Sequence, residues 1–166
     1  NTAFLKVNKD GIAGITVKYW KNGKSGQEAI KRNFGNHGDS LTSSGNKSTK
    51  LDKLLVFESV EKAMAYHQLK GKDELKGLEV DYQTTEGTLF DGQIALIQSK
   101  IKEQNVQELV VGFDNDLAGS FFKAKLLGQL QLPEKVLENE DPLMPDAIIS
   151  VGSFKKELGL NKTDYH

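Results

Sequence analysis

Two short apolar runs in the sequence each end abruptly in carboxylate side chains. The first run, 54–57, leads directly into Glu58, and the second, 109–113, leads into Asp114 and Asp116. An apolar run of this length followed by a helical pattern is typical of a buried parallel strand. In an open α/β sheet, functional side chains lie beyond the carboxyl ends of the strands. We therefore expect these three carboxylates to meet at one edge of a sheet.

Converging carboxylates repel one another unless a cation lies between them. Alternate residues of an extended segment point to the same side, so Asp114 and Asp116 can share one cation. Mg²⁺ suits such a site because it takes one or two carboxylates and bridges to phosphate oxygens. Each feature alone has a simpler explanation, since Asp116 could cap the following helix and Glu58 could favour a helix dipole. Their equivalent positions at two strand ends favour a magnesium site for phosphate chemistry.

The order of the remaining elements predicts an α/β domain preceded by an antiparallel β element. Strands are expected at 3–8, 12–20, 28–34, 53–57, 78–84, 108–113 and 134–138, and helices at 60–70, 91–103, 117–130 and 152–159. Strands that alternate with helices imply right-handed crossovers and a parallel four-stranded sheet flanked by helices. The small polar residues of 35–50 predict a loop or a partly disordered linker. We therefore divide the chain into an N-terminal β-hairpin element with a flexible loop, 1–50, and an α/β domain, 51–166.

Helical spacing predicts the faces that pack against the sheet. These faces consist of Val60, Ala63, Met64 and His67 in the first helix and Ile94, Ile97 and Ile101 in the second. Gly119, near the start of the third helix, is expected to let another group approach the backbone closely.

Charge is distributed unevenly along the chain. Residues 1–50 have a formal balance of +6 and residues 51–166 one of −7, which gives the net charge of −1. A basic element beside an acidic domain suits a polyanionic partner such as nucleic acid. The residues expected to contact it are Lys18, Lys21, Lys31 and Arg32. The alternative is that the lysines decorate solvated loops.

Composition excludes several classes of protein. No apolar stretch approaches the roughly 18–20 residues of a membrane span, and no signal-peptide pattern is present. The absence of cysteine excludes a disulfide scaffold or a thiolate zinc site within this sequence, and it favours a cytoplasmic setting. The glycine-rich loops match neither a P-loop nor a dinucleotide fingerprint. Because the chain begins with Asn1, we expect it to be a segment of a longer protein.

The motifs together resemble those of a Toprim domain of the bacterial primase-like type. The resemblance rests on Leu54–Ala63, where an apolar strand, Glu-Ser and a helix follow one another, and on Leu109–Gly119, where a strand is followed by Asp-x-Asp and Gly. The small-residue loop 84–88 lies between them, and the hairpin at the start resembles the one that precedes Toprim in primase-like proteins of plasmids and mobile elements. The similarity covers roughly residues 1–140.

The resemblance implies a function in DNA processing. It implies that Glu58 acts as acid/base or metal ligand, and that Asp114 and Asp116 bind Mg²⁺ or Mn²⁺. The implied reaction is phosphoryl or nucleotidyl transfer, with DNA or RNA, nucleotides and further domains of a longer parent protein as partners.

The sequence departs from this family at two places. Lys62 stands where primase-type members usually carry an aspartate, and the acidic cluster after the fourth strand is matched only loosely, by Asp141 and Asp146. A lysine that faces the site would compete with a cation. This favours an alternative function as a non-catalytic nucleic-acid-binding or protein-binding module. A flavodoxin-like phosphoacceptor domain is a further alternative, but its first strand would end in aspartate rather than in Glu58.

Overall fold

A computed structural model of the chain describes residues 2–23, 26–130 and 149–150. The strands are β1 (Thr2–Asn8), β2 (Gly11–Gly23), β3 (Gly26–Gly35), β4 (Thr42–Ser43), β5 (Lys53–Phe57), β6 (Val80–Thr84), β7 (Glu108–Gly112) and β8 (Ile149–Ser150). The helices are α1 (Val60–Tyr66), α2 (Lys72–Glu74), α3 (Asp91–Glu103) and α4 (Leu117–Gln129), and a π-helical turn, His67–Gly71, joins the first two.

The first three strands form an antiparallel sheet in the order β1-β2-β3. The turn between β1 and β2 has the geometry that Asn8 and Gly11 favour. The side chain of Asn8 accepts a hydrogen bond from the Asp10 N–H at 2.9 Å, and Gly11 has a φ of +119°, which favours glycine. The long β2 pairs with β3 along its length, and this register places Lys18 directly opposite Lys31.

The α/β part contains a second sheet, with the order β4-β6-β5-β7-β8 in the described residues. The three central strands are parallel, and the short edge strands β4 and β8 are antiparallel to their neighbours. The α/β fold with a parallel centre is therefore confirmed. The expected strand at 134–138 and the expected helix at 152–159 lie outside the described residues.

The continuous apolar character of the central strand β5 follows from burial on both faces. Leu54 and Val56 belong to one core cluster, which includes residues of α3 and α4, whereas Leu55 and Phe57 belong to a second cluster with α1. The predicted inner face of α3 is confirmed, because Ile94, Ile97 and Ile101 are at most 3% exposed.

The predicted inner face of α1 is partly wrong. Ala63 and Tyr66 are buried, whereas Met64 is 54% exposed. The ring of Tyr66 packs beside Phe57, with 5.4 Å between ring centroids, and this larger aromatic contact determines which face turns inwards. His67 is also exposed; it opens the π-helical turn, and its Nδ1 lies 3.0 Å from the Tyr82 hydroxyl.

The segment 35–50 is more firmly held than its polar composition predicts. Leu41 is buried, and its backbone exchanges hydrogen bonds of 2.9 and 2.8 Å with Val7. The Gln93 amide donates to the Ser40 carbonyl at 2.9 Å, and β4 pairs with β6. Most of the segment is a loop, as predicted, and these tertiary hydrogen bonds tie its backbone to β1, β6 and α3. Partial disorder of this segment stays a prediction.

Within the described ranges, no helix is long and apolar enough to cross a membrane.

Candidate functional site at the strand ends

The two carboxylate-bearing strand ends lie side by side. The neighbouring parallel strands β5 and β7 pair with Phe57 opposite Gly112. Glu58 follows the first strand at once, and Asp114 lies two residues beyond the second, so both carboxylates reach the same edge of the sheet. Gly112 is required here, because a Cβ at this position would lie 2.2 Å from the Phe57 ring.

The cation between these two carboxylates is the ammonium group of Lys62. This residue lies on the first turns of α1, four positions after Glu58, and its Nζ is 3.4 Å from Glu58 Oε2. The same Nζ forms an ion pair with Asp114 Oδ1. The three side chains are between 26% and 40% exposed, so the cluster is open to solvent on one side.

Asp116 has a different partner. It is the N-cap of α4, and its Oδ1 accepts a hydrogen bond of 2.7 Å from the Gly119 N–H. Such a cap satisfies one of the free N–H groups at the start of a helix. The close approach expected at Gly119 is confirmed, since a Cβ there would lie 1.9 Å from the Asp114 carbonyl oxygen.

As arranged, this edge does not fit a magnesium ion. Lys62 occupies the carboxylates of Glu58 and Asp114, and Asp116 is directed to its helix. Across the part of the chain that the structure describes, no group of three or more His, Cys, Asp or Glu side chains could hold a metal ion. The weaker predicted ligands, Asp141 and Asp146, lie outside that part.

A fourth carboxylate near this edge, that of Glu86, was not predicted from the sequence as a site residue. It lies in the loop after β6, and its side chain is fully buried. Its Oε1 accepts hydrogen bonds from the Val60 N–H at 2.9 Å and the Thr84 hydroxyl at 2.8 Å. Its Oε2 lies 2.9 Å from Lys18 Nζ and 3.5 Å from Lys31 Nζ. The signal available in the sequence was that Glu86 lies two residues beyond the predicted strand 78–84.

The partners of Glu86 keep it charged. Burial raises the pKa of its carboxyl, but hydrogen bonds from Lys18, Thr84 and the Val60 N–H, together with the charge of Lys18, hold that pKa below its usual value. The N–H of Val60 belongs to the first turn of α1, so the same carboxylate also fixes the start of the helix that carries Lys62.

The four basic residues predicted to bind nucleic acid fall into two pairs. Lys18 and Lys31 face the α/β part, where both contact Glu86, and Lys18 also forms an ion pair with Glu61. Lys21 and Arg32 are exposed, and strand alternation places them on the opposite face of the N-terminal sheet. Lys18 and Lys31 therefore connect the N-terminal sheet to the α/β part, whereas Lys21 and Arg32 lie at the surface.

A buried lysine lies behind the same loop. Lys6 is fully buried, its Nζ contacts His37 Nδ1, and it lies 3.5 Å from the Thr85 carbonyl oxygen. Burial lowers the pKa of Lys6 to about 8, while Glu86 opposes and Lys31 adds to this shift. Burial likewise lowers the pKa of His37, and the charges of Lys6 and Lys31 lower it further.

The chain is similar to one protein family and to a solved structure. No curated protein matches the chain. One similar solved structure is that of the primase fragment of the bacteriophage T7 primase-helicase protein, with a TM-score of 0.45 and 14% sequence identity. The match covers 95% of this chain and 63% of that one, so the chain spans less than two thirds of the length of that fragment. The family model described as Toprim-like matches residues 55–146, which is more than half of the chain and includes Glu58, Lys62 and Asp114. The chain therefore belongs to the Toprim-like family.

Proposed function

We propose that this chain is a nucleic-acid-processing domain of a primase-like protein, of the type found in plasmids and mobile elements. The observation that carries the proposal is the Toprim-like match over 55–146, which spans both strand ends where Glu58 and Asp114 converge. Its partners are DNA or RNA, nucleotides and other domains of a longer parent protein. The exposed Lys21 and Arg32 provide positive charge for the phosphate backbone.

The reaction that this family membership favours is phosphoryl or nucleotidyl transfer. A bound Mg²⁺ or Mn²⁺ supplies charge neutralisation at the phosphate in such reactions. Because the edge does not fit that ion as arranged, transfer requires Lys62 to leave Glu58 and Asp114. With Lys62 withdrawn, Asp114 and Asp116 would be the residues to hold the ion, and Glu58 could accept the proton of the attacking hydroxyl.

The second candidate function is a non-catalytic nucleic-acid-binding or protein-binding module. A specific observation favours it, namely that the Lys62 ammonium already neutralises the carboxylate pair. Because the Lys62 ammonium already balances Glu58 and Asp114, the fold needs no metal ion at this edge. The domain would then bind a partner without catalysing a reaction.

Binding of a fluorescently labelled single-stranded oligonucleotide to the chain, followed by anisotropy, tests the shared part of both functions. We expect the affinity to fall steeply as salt rises. The double variant Lys21→Gln, Arg32→Gln should bind more weakly and show a shallower salt dependence. The double variant Lys72→Gln, Lys76→Gln, which removes two exposed charges within and just after α2, is the matched control. If no binding is detected even at low salt, the proposal is wrong.

A primer-synthesis and nicking assay on the full-length protein with Mg²⁺ or Mn²⁺ separates the two candidates. If the domain catalyses transfer, Asp114→Asn and Glu58→Gln should abolish product formation while oligonucleotide binding persists. Asp73→Asn, an exposed carboxylate on α2, should leave activity unchanged. Absence of product with either metal, in a protein that binds the oligonucleotide, would establish the binding module instead.

A further inference from the structure

We propose that Lys62 is the resident cation of this edge, so that a divalent metal ion binds Glu58 and Asp114 only by displacing its ammonium group. The inference deepens the proposed function, because it identifies the residue that determines whether the edge accepts a metal ion. Its test is metal binding, which can be measured without any activity.

The position of the ammonium is set by the fold on three sides. Glu58 directly follows β5 and precedes α1, and its Oε2 lies 3.4 Å from Lys62 Nζ. Asp114 reaches the same Nζ from the neighbouring strand β7. The start of α1 is itself held by the buried Glu86, whose Oε1 binds the Val60 N–H. Lys62 therefore projects from a fixed helix turn towards two fixed strand ends.

The charges explain why the ammonium competes with a metal ion. Two carboxylates attract a divalent cation, but a lysine held between them cancels one of the two negative charges and repels an incoming cation. Because Lys62 belongs to the same chain, its ammonium loses side-chain freedom on pairing but no translational freedom, unlike a metal ion. Asp116 does not offset this loss, because its carboxylate caps α4.

Calorimetric titration of Mn²⁺ into the chain at low ionic strength tests the proposal. We expect Lys62→Met to bind Mn²⁺ at least about tenfold more tightly than the natural sequence, because removal of one like charge favours the cation. Lys62→Arg retains the positive charge and should resemble the natural sequence. Lys72→Met removes a charge from the same helical stretch and controls for the change in net charge.

Two further measurements locate the effect. Asp114→Asn introduced into the Lys62→Met variant should abolish the gain. Mn²⁺ should also raise the unfolding temperature of Lys62→Met more than that of the natural sequence, because a ligand that binds only the folded state stabilises it. Should Lys62→Met fail to fold by circular dichroism, Lys62→Gln replaces it, since the side chain is 39% exposed and tolerates a polar neutral group.

Equal Mn²⁺ affinity in the natural sequence and Lys62→Met overturns the proposal, as does the absence of Mn²⁺ binding by both. Failure of the proposed function is a separate result, because oligonucleotide anisotropy is measured on the same proteins without metal. A gain in Mn²⁺ affinity without oligonucleotide binding would support the role of Lys62 and reject nucleic-acid processing.

Discussion

At the scale of single residues, the structure places two lysines in unusual surroundings for a long cationic side chain. Lys62 lies between two carboxylates at the open edge, and Lys6 is fully buried beside His37. A buried ammonium loses hydration, which lowers its pKa unless a carboxylate compensates. Glu86 compensates only in part for Lys6, so that this lysine makes the stability of the fold depend on pH.

Stability should rise with pH above about 8 because of Lys6. Its pKa in the folded chain is about 8, below the ordinary value of 10.5, so that between these values the unfolded chain binds more protons. Each pKa unit corresponds to about 1.4 kcal/mol. Urea unfolding at pH 7.5 and 9.5 should show the rise, and Lys6→Met should remove it. Lys9→Met, on the exposed turn, should retain it, and an unchanged rise in Lys6→Met would contradict the assignment.

Two substitutions test whether the Asp116 cap stabilises α4. Asp116→Ala should lower the free energy of unfolding by about 1 kcal/mol, because the Gly119 N–H loses its acceptor. Asp116→Asn should retain most of the stability, since the amide oxygen still accepts that hydrogen bond. Chemical denaturation measures both. Equal stability of the alanine variant and the natural sequence would show that the cap contributes nothing.

At the scale of elements, the edge depends on how closely α4 approaches the end of β7. The helix begins three residues after Asp114, and Gly119 in its first turn lies against the Asp114 backbone. A side chain at this position would push the helix away from the strand end. The placement of Asp114 therefore rests on a backbone contact that only glycine permits.

Two glycines of α4 should respond in opposite ways to alanine. Gly119→Ala should destabilise the fold by about 2 kcal/mol or more, because the new Cβ would lie 1.9 Å from the Asp114 carbonyl oxygen. Gly128→Ala should stabilise it by up to about 1 kcal/mol, since nothing lies within 4 Å and alanine is the better helix former. Thermal unfolding of both variants tests this, and a neutral Gly119→Ala would refute the close contact.

At the scale of the whole molecule, one buried carboxylate links the N-terminal sheet to the α/β part. Glu86 contacts Lys18 of β2, Lys31 of β3 and the first turn of α1. The backbone pairing of Val7 with Leu41 adds a second link. Both links join segments that lie far apart in the sequence. The ion pair of Lys18 with Glu61 and the contact of Lys6 with the Thr85 carbonyl oxygen add further polar contacts between the two parts.

Glu86→Gln should weaken this attachment. The change leaves Lys18 and Lys31 without their buried counter-charge. Because both lysines are partly exposed and Lys18 keeps Glu61, we expect a loss of about 2 kcal/mol. We expect a lower free energy of unfolding and faster protease cleavage within 35–50. Glu103→Gln, at an exposed position of α3, is the matched control. Cleavage at the natural rate in Glu86→Gln would show that the sheets are held together by other contacts.

The sequence by itself determined the α/β part and the edge at which its carboxylates gather. The bounds of β5 and α3 follow from local sequence patterns. A strand buried on both faces is a continuous apolar run, and a helix buried on one face has apolar residues every three to four positions. The position of Asp114 beside Glu58 follows from parallel pairing, which brings the carboxyl ends of strands together.

Only the tertiary structure decided what these carboxylates contact. The direction of the Lys62 side chain depends on how α1 lies relative to β7. The Asp116 carboxylate caps α4 rather than facing Lys62 because Gly119 allows the first turn of the helix to approach the Asp114 backbone. The burial of Glu86 among Lys18 and Lys31 depends on how the two sheets meet. Each of these contacts joins segments that are remote in sequence or depends on backbone geometry within a turn. Local periodicity carries no information about either, so the fold had to be known before the site could be described.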